Sequence, residues 1–187
     1  MTPTKKMLLV GTGSIAVSSL PIWVSWARRS NPEVELKILL TRSATRFVSA
    51  EALRVLGGCE VIEDSWESLP KHYGAFHVEM AEWADSVLVY PATTNFVTKF
   101  AQCITDSPAL LTVQCTEKPV VVAPSLPAGC AGNPYVTDLL SALDARKNVT
   151  VLPTVSGLSV GNGEDTPGAP SPFSAAWSVV VASLDGR

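Results

Sequence analysis

The chain has 187 residues, 47% hydrophobic and 17% charged, with a formal net charge of −3. That length suits one domain, and the composition supplies a core and excludes a disordered or collagen-like chain. The acidic balance lacks the basic stripe of a nucleic-acid binder.

Cys59, Cys103, Cys115 and Cys130 form no C-x-x-C pair, and His72 and His77 are the two histidines. No metal site is expected from such a set. The thiols read as reduced and mostly buried, as in a cytoplasmic protein. The apolar run at residues 7–10 is too short for a membrane span and carries no signal-cleavage pattern, so no membrane partner is expected.

In chain order, residues 6–10 form an apolar strand closed by Gly11-Thr12-Gly13. A helix follows over 14–29, kinked at Pro21, which has no N–H to donate. Residues 34–40 make a second strand. Residues 43–56 have helical spacing, with Gly57-Gly58 as the stop. Residues 59–73 are mixed and carry no assignment. A third strand at 86–90 leads to a helix at 95–103. A fourth strand spans 120–123, a helix 133–146, and a fifth strand 149–152. Residues 154–172 are rich in Gly, Pro and Ser without apolar periodicity, which fits a mobile flap or a disordered linker. Residues 173–184 fit a helix or a strand.

Apolar strands separated by helix-length segments predict an α/β fold: a doubly wound parallel sheet, Rossmann-like (flavodoxin-like), in a single-domain three-layer sandwich. Ligands of such sheets bind at the carboxyl ends of the strands. Polar and glycine-rich residues gather there: Gly13-Ser14, Thr41-Arg42-Ser43, 91–95, and Pro124 onward.

Gly11-Thr12-Gly13-Ser14-Ile15-Ala16 follows a strand and opens a helix, as in a dinucleotide fingerprint. Free N–H groups at a helix start suit a phosphate. A nicotinamide cofactor would also need an acidic residue at the end of the second strand. Thr41-Arg42-Ser43 stand there instead, and Glu33 and Glu35 lie at its other end. Hydroxyls and an arginine suit a phosphate better than a ribose diol. The alternative is that the glycines only permit a tight turn.

Four segments occur in order: Gly13-Ser14-Ile15-Ala16, the stretch from Leu39 through Thr41-Arg42-Ser43 to Phe47-Val48, His77 through Trp83-Ala84-Asp85, and Pro91-Ala92-Thr93-Thr94-Asn95. Together they resemble the homo-oligomeric flavin-containing cysteine decarboxylases. This family includes phosphopantothenoylcysteine decarboxylase and the peptidyl-cysteine decarboxylases of lantibiotic, thioamitide and linaridin pathways. The resemblance covers residues 6–153. It implies bound FMN, with FAD as the alternative. Gly13, Ser14 and Ile15, with Thr41 and Ser43, would hold the phosphate end. Phe47 would flank the flavin. Pro91, Ala92, Thr93, Thr94 and Asn95 would wrap its ring and ribityl chain, and Asp106-Ser107 would lie near it in a trimer. Residues 1–153 would be the flavin-binding body, and 154–187 a substrate-clamp flap and terminal segment of the same domain.

The resemblance makes His77 the catalytic histidine; the alternative is a structural role. His72, beside Lys71 and Tyr73, reads as a solvated loop residue. Oxidising a cysteine at Cβ passes a hydride to the flavin while the thiol loses its proton, which an imidazole can accept. The thioaldehyde formed carries C=S β to the carboxylate, and CO2 leaves as electrons flow into sulfur. Trp83 is expected to pack beneath His77. Trp23 and Trp26 read as core or subunit-interface aromatics, and Phe173 and Trp177 as a docking helix or a cover over substrate.

The chain departs from the family's substrate motif, Pro-x-Met-Asn-x-x-Met-Trp. Pro124-Ser125-Leu126-Pro127 aligns with its start, so Pro127 replaces the Asn that binds the substrate carboxylate. Pro124, Ser125, Leu126 and Asn133 remain the substrate-binding candidates. In the pantothenate branch a flap cysteine returns a proton to the product; here Val160 occupies that place. The implied reaction is oxidative decarboxylation of the C-terminal cysteine of a ribosomal precursor peptide by a trimer or dodecamer. The product would be the aminoenethiol used for aminovinyl-cysteine. The alternatives are a phosphopantothenoylcysteine decarboxylase of coenzyme A biosynthesis, for which Cys130 would have to supply the thiol, and a non-catalytic flavoprotein regulatory subunit.

Overall fold

The computed structural model describes residues 5–158 and 163–185, so Val160 lies outside the described residues. Its main sheet comprises β1 (Lys5–Gly11), β2 (Val34–Thr41), β3 (Glu60–Asp64), β4 (Ser86–Thr93), β5 (Val120–Ser125) and β6 (Val149–Val151). All pairings are parallel, in the order β3-β2-β1-β4-β5-β6. This is the doubly wound order, with its switch point between β1 and β4. The middle strands are apolar throughout because helices cover both faces: Met7 to Val10 and Val87 to Val89 are fully buried.

On one face lie α1 (Leu20–Ser30), α2 (Ala50–Gly57) and α8 (Phe173–Asp185); on the other lie α3 (Phe76–Trp83), α4 (Thr94–Ala101), α5 (Pro108–Cys115) and α7 (Pro134–Asp144). The short helix α6 (Ala128–Ala131) follows β5, and β7 (Val155–Leu158) pairs antiparallel with β8 (Asp165–Ala169).

Several expectations change. The helix expected over 14–29 is a 3-10 turn, Ile15–Ser19, followed by α1; Pro21 sits in the first turn of α1, where no N–H is needed, so it starts a helix instead of kinking one. The helix expected over 43–56 is likewise split into a 3-10 turn, Ala44–Arg46, and α2. The mixed stretch contains β3, and α3 and α5 were not anticipated. Part of the proposed flap is the β7–β8 hairpin. The terminal segment is helix α8, docked by aromatics: Phe173 stacks on Trp23 (5.8 Å) and Trp177 (5.7 Å) and meets Tyr90 edge-on at 5.1 Å. Such pairs contribute about 0.5–1.5 kcal/mol each beyond their burial. Phe173 and Trp177 therefore hold the helix to the body and do not cover a ligand. The cysteines are free, but Cys103 and Cys115 are exposed and Cys59 and Cys130 only partly covered, not buried as expected. No described helix is long and apolar enough to cross a membrane.

Candidate active site

Three strand ends meet at the switch point, and hydroxyls tie them together. Thr12, 1% exposed, follows β1; its Oγ1 donates to the Pro91 carbonyl at 2.6 Å and accepts the Thr93 N–H at 2.8 Å. Ser14 Oγ lies 2.7 Å from Ser125 Oγ, joining the same turn to the end of β5. From the other side the turn after β2 presses in. A Cβ on Gly13 would stand 2.3 Å from Ser43 Oγ and 3.1 Å from the Ser43 main chain, so only glycine fits.

These ends floor a cleft of about 550 Å³, within the usual range for a small-molecule site. The β7–β8 hairpin and the start of α6 close its other side, through Leu158, Pro167, Gly168 and Ala128. Gly168 is where the hairpin crosses β5. Its φ is 111°, a Cβ there would lie 2.3 Å from the Leu126 carbonyl, and its own carbonyl accepts the Leu126 N–H at 2.7 Å. Among the described lining residues none has an ionisable side chain.

Part of the polar capacity of the cleft is unspent. Thr94 Oγ1 is buried with no hydrogen-bond partner. Its helix, α4, starts at the cleft, and the N-cap Thr93 makes no side-chain cap bond. First-turn N–H groups without a cap favour an acceptor or an anion. A cofactor with one phosphate and a hydroxylated chain fits these features: a glycine cradle at Gly13, the Ser14 hydroxyl, and an unpartnered hydroxyl at Thr94.

Gly13, Ser14, Ile15, Thr93, Thr94, Asn95, Ser125 and Leu126 all line the cleft. Pro91 and Ala92 are buried in β4 beneath it. Ser43 reaches the cleft only through Gly13, and Thr41 Oγ1 lies 3.2 Å from Ser43 Oγ. Phe47, 43% exposed, does not line it. Pro124 is buried in β5, outside the cleft lining. Asn133 caps α7 by accepting the Tyr135 N–H at 2.9 Å. Asp106 pairs with Lys99 at 2.6 Å, and Ser107 caps α5 and donates to Asp64 at 2.8 Å.

His77 is in the first turn of α3 and does not line this chain's cleft. Its ring neighbour is Trp66, at 6.5 Å. Trp83 packs under Lys37 instead, 4.7 Å from ring centroid to Nζ, because it sits at the other end of α3. Thr12 was not anticipated; its only signal was a hydroxyl between two glycines. The hairpin residues Pro167 and Gly168 had no readable signal beyond composition.

A switch-point cleft with an uncapped helix start and a glycine cradle defines a nucleotide-type cofactor protein of the doubly wound class. The Flavoprotein family model matches residues 1–185, and the chain belongs to that family. It is 34% identical over 164 residues to a cypemycin cysteine dehydrogenase (decarboxylating) from Streptomyces sp, covering 84% of each chain. Its structure is similar to that of the cypemycin decarboxylase CypD, with a TM-score of 0.78 at 30% identity over 97% of this chain and 95% of that one. It is also similar to TvaF, an FMN-dependent cysteine decarboxylase from thioviridamide biosynthesis, with a TM-score of 0.78 at 27% identity over 97% and 98%.

Proposed function

We propose that this chain is an FMN-dependent decarboxylase of the C-terminal cysteine of a ribosomal precursor peptide, yielding the aminoenethiol used in aminovinyl-cysteine rings. The observation that carries the peptide reading is the uncharged cleft. Backbone N–H groups and hydroxyls around Gly13, Ser14 and Thr94 suit one phosphate, that of the cofactor. A second phosphate, as on phosphopantothenoylcysteine, would find no cation among the described lining residues. A peptide end finds an apolar wall of Ile15, Leu126 and Leu158 under the β7–β8 hairpin.

When bound, FMN supplies the two-electron acceptor for the cysteine Cβ. The protein's part is to hold and orient. Gly13 and Ser14 fix one end of the cofactor, and Thr94 and Asn95 meet its polar groups. Leu126 and the hairpin keep water from the reacting carbon. The His77 imidazole accepts the thiol proton. CO2 then leaves as its bonding electrons move toward the substrate sulfur. Val160 carries no proton to give back, so the product stays an enethiol.

Because His77 does not line the cleft of its own chain, the reading includes a homo-oligomer in which a neighbouring copy brings the imidazole to the cleft. A trimer, alone or assembled into a dodecamer, meets that need. The experiment is complementation: mix His77→Asn with Gly13→Val, each inactive alone. Mixed oligomers regain part of the activity if the site is shared between chains. Full activity of His77→Asn alone, or no recovery despite exchange of subunits, counts against the shared site.

A further inference from the structure

Trp66 lies in the loop after β3 and meets His77 edge to face, with ring centroids 6.5 Å apart and planes at 80°. The indole is 44% exposed, so burial does not account for its position. A hydrogen bond does. Its Nε1–H donates to the Asp106 carbonyl at 3.2 Å, across 40 residues of sequence.

The Asp106 segment is itself held from two sides. The Asp106 carboxylate pairs with Lys99 at 2.6 Å, on α4, the helix whose first turn lines the cleft. Next in the chain, Ser107 donates to Asp64 at 2.8 Å, and Asp64 accepts the Ala109 N–H at 2.7 Å. Asp64 is 8% exposed, so this anchor is nearly dry. A continuous set of contacts thus runs from α4 through Asp106 to Trp66 and on to His77.

We infer that Trp66 is a positioning residue: its ring, tied through Asp106 to the α4–α5 connection, holds the His77 imidazole in one orientation. The inference rests on the role proposed above for His77. A partly buried histidine in the first turn of a helix otherwise has more than one staggered rotamer open to it. An aromatic wall at its side removes some of them. The same connection fixes the imidazole relative to α4, and so to the body of the chain that would present it to a neighbouring copy's cleft.

The test compares Trp66→Ala, Trp66→Leu and Trp66→Phe with the wild-type holoprotein and His77→Asn. For each, kcat and KM are measured on a Cys-terminal peptide, per bound flavin. Misplacing a catalytic group by about 1 Å can cost about a hundredfold in rate, so Trp66→Ala and Trp66→Leu are expected to lose roughly ten- to a hundredfold in kcat. KM and flavin content should stay unchanged. Trp66→Phe, which keeps a ring but loses the N–H donated to Asp106, should recover part of the rate and exceed Trp66→Leu. A purely structural tryptophan would lower melting temperature and flavin content and leave kcat per flavin intact; that pattern overturns the inference. So does a phenylalanine variant no better than leucine, which also decides the matter should the alanine variant fail to fold. If His77→Asn is inactive while Trp66→Ala is unimpaired, only the positioning role falls. If His77→Asn is fully active, the reading of His77 falls first.

Discussion

Thr12 Oγ1 lies 2.6 Å from the Pro91 carbonyl and accepts the Thr93 N–H at 2.8 Å, so one buried hydroxyl joins the turn after β1 to the end of β4. The cleft floor depends on that joint, because Gly13 and Thr94 stand on either side of it. Thr12→Val removes donor and acceptor together and takes from the partly buried Thr93 N–H its Thr12 acceptor. Such a loss costs about 1–3 kcal/mol. The expected outcome is a lower melting temperature and less bound flavin, read by thermal denaturation and visible absorbance. Thr12→Ser should restore both.

Gly168 tests the hairpin. Alanine there would need φ near 111° and a Cβ 2.3 Å from the Leu126 carbonyl. Strain of that kind amounts to about 1–3 kcal/mol. Gly168→Ala should shift β8 away from β5 and raise KM for a peptide substrate, while the parallel sheet stays folded. Amide exchange resolves the two: protection should fall at Leu126 and persist in β1. Unchanged KM with unchanged exchange at Leu126 contradicts the hairpin's place in substrate binding.

The cysteines should react unequally. Burial pushes the Cys59 thiol up to about 11, with Arg28 pulling weakly the other way. At pH 8 only about one Cys59 in a thousand is then thiolate, the form that reacts. Cys103 and Cys115 are exposed. Iodoacetamide at that pH should label those two and spare Cys59, as peptide mapping would show. Comparable labelling of Cys59 in the native protein contradicts the raised value.

Asp64 gives a pH dependence of stability. Burial lifts its carboxyl above the ordinary range, and hydrogen bonds from Ala109 and Ser107 oppose the lift only in part. A raised folded pKa contributes stability that is complete below the unfolded value, about 3.9, and is lost as pH rises through the folded value. Asp64→Asn has no proton to lose. The melting-temperature difference, wild type minus Asp64→Asn, should therefore fall as pH rises from about 3.9 through the raised folded value. A difference that rises over that interval has the wrong sign for a buried carboxyl.

Much of the sheet could be read from the chain because β1 from Met7, β2 from Ile38 to Leu40, β4 and β5 are buried on both faces and so are almost continuously apolar. β3 escaped because it is an edge strand, and Glu60, Glu63 and Asp64 break its apolar pattern. The β7–β8 hairpin escaped because it adds no apolar layer; Val155, Ser156 and Leu158 are exposed. The final helix was undecidable locally, since its partners Trp23 and Tyr90 lie far away in sequence. At the site, Gly13, Ser14 and Thr94 were legible because a glycine turn and a proline-led turn follow apolar strands. Thr12 was not, because a hydroxyl between two glycines announces no partner until β4 lies beside it. The distance of His77 from the cleft was also hidden, for it depends on the path of the segment between β3 and α3.

The central claim is oxidative decarboxylation of a C-terminal cysteine, and the mass of a peptide substrate reads it directly. Incubated in air with the yellow holoprotein, a Cys-terminal peptide should lose the mass of CO2 plus two hydrogens, and the same peptide ending in serine should not change. His77→Asn should keep the yellow colour and leave the mass unaltered. A protein that takes up no flavin, or a flavin-loaded protein that leaves the cysteine peptide intact in every oligomeric state, contradicts the claim.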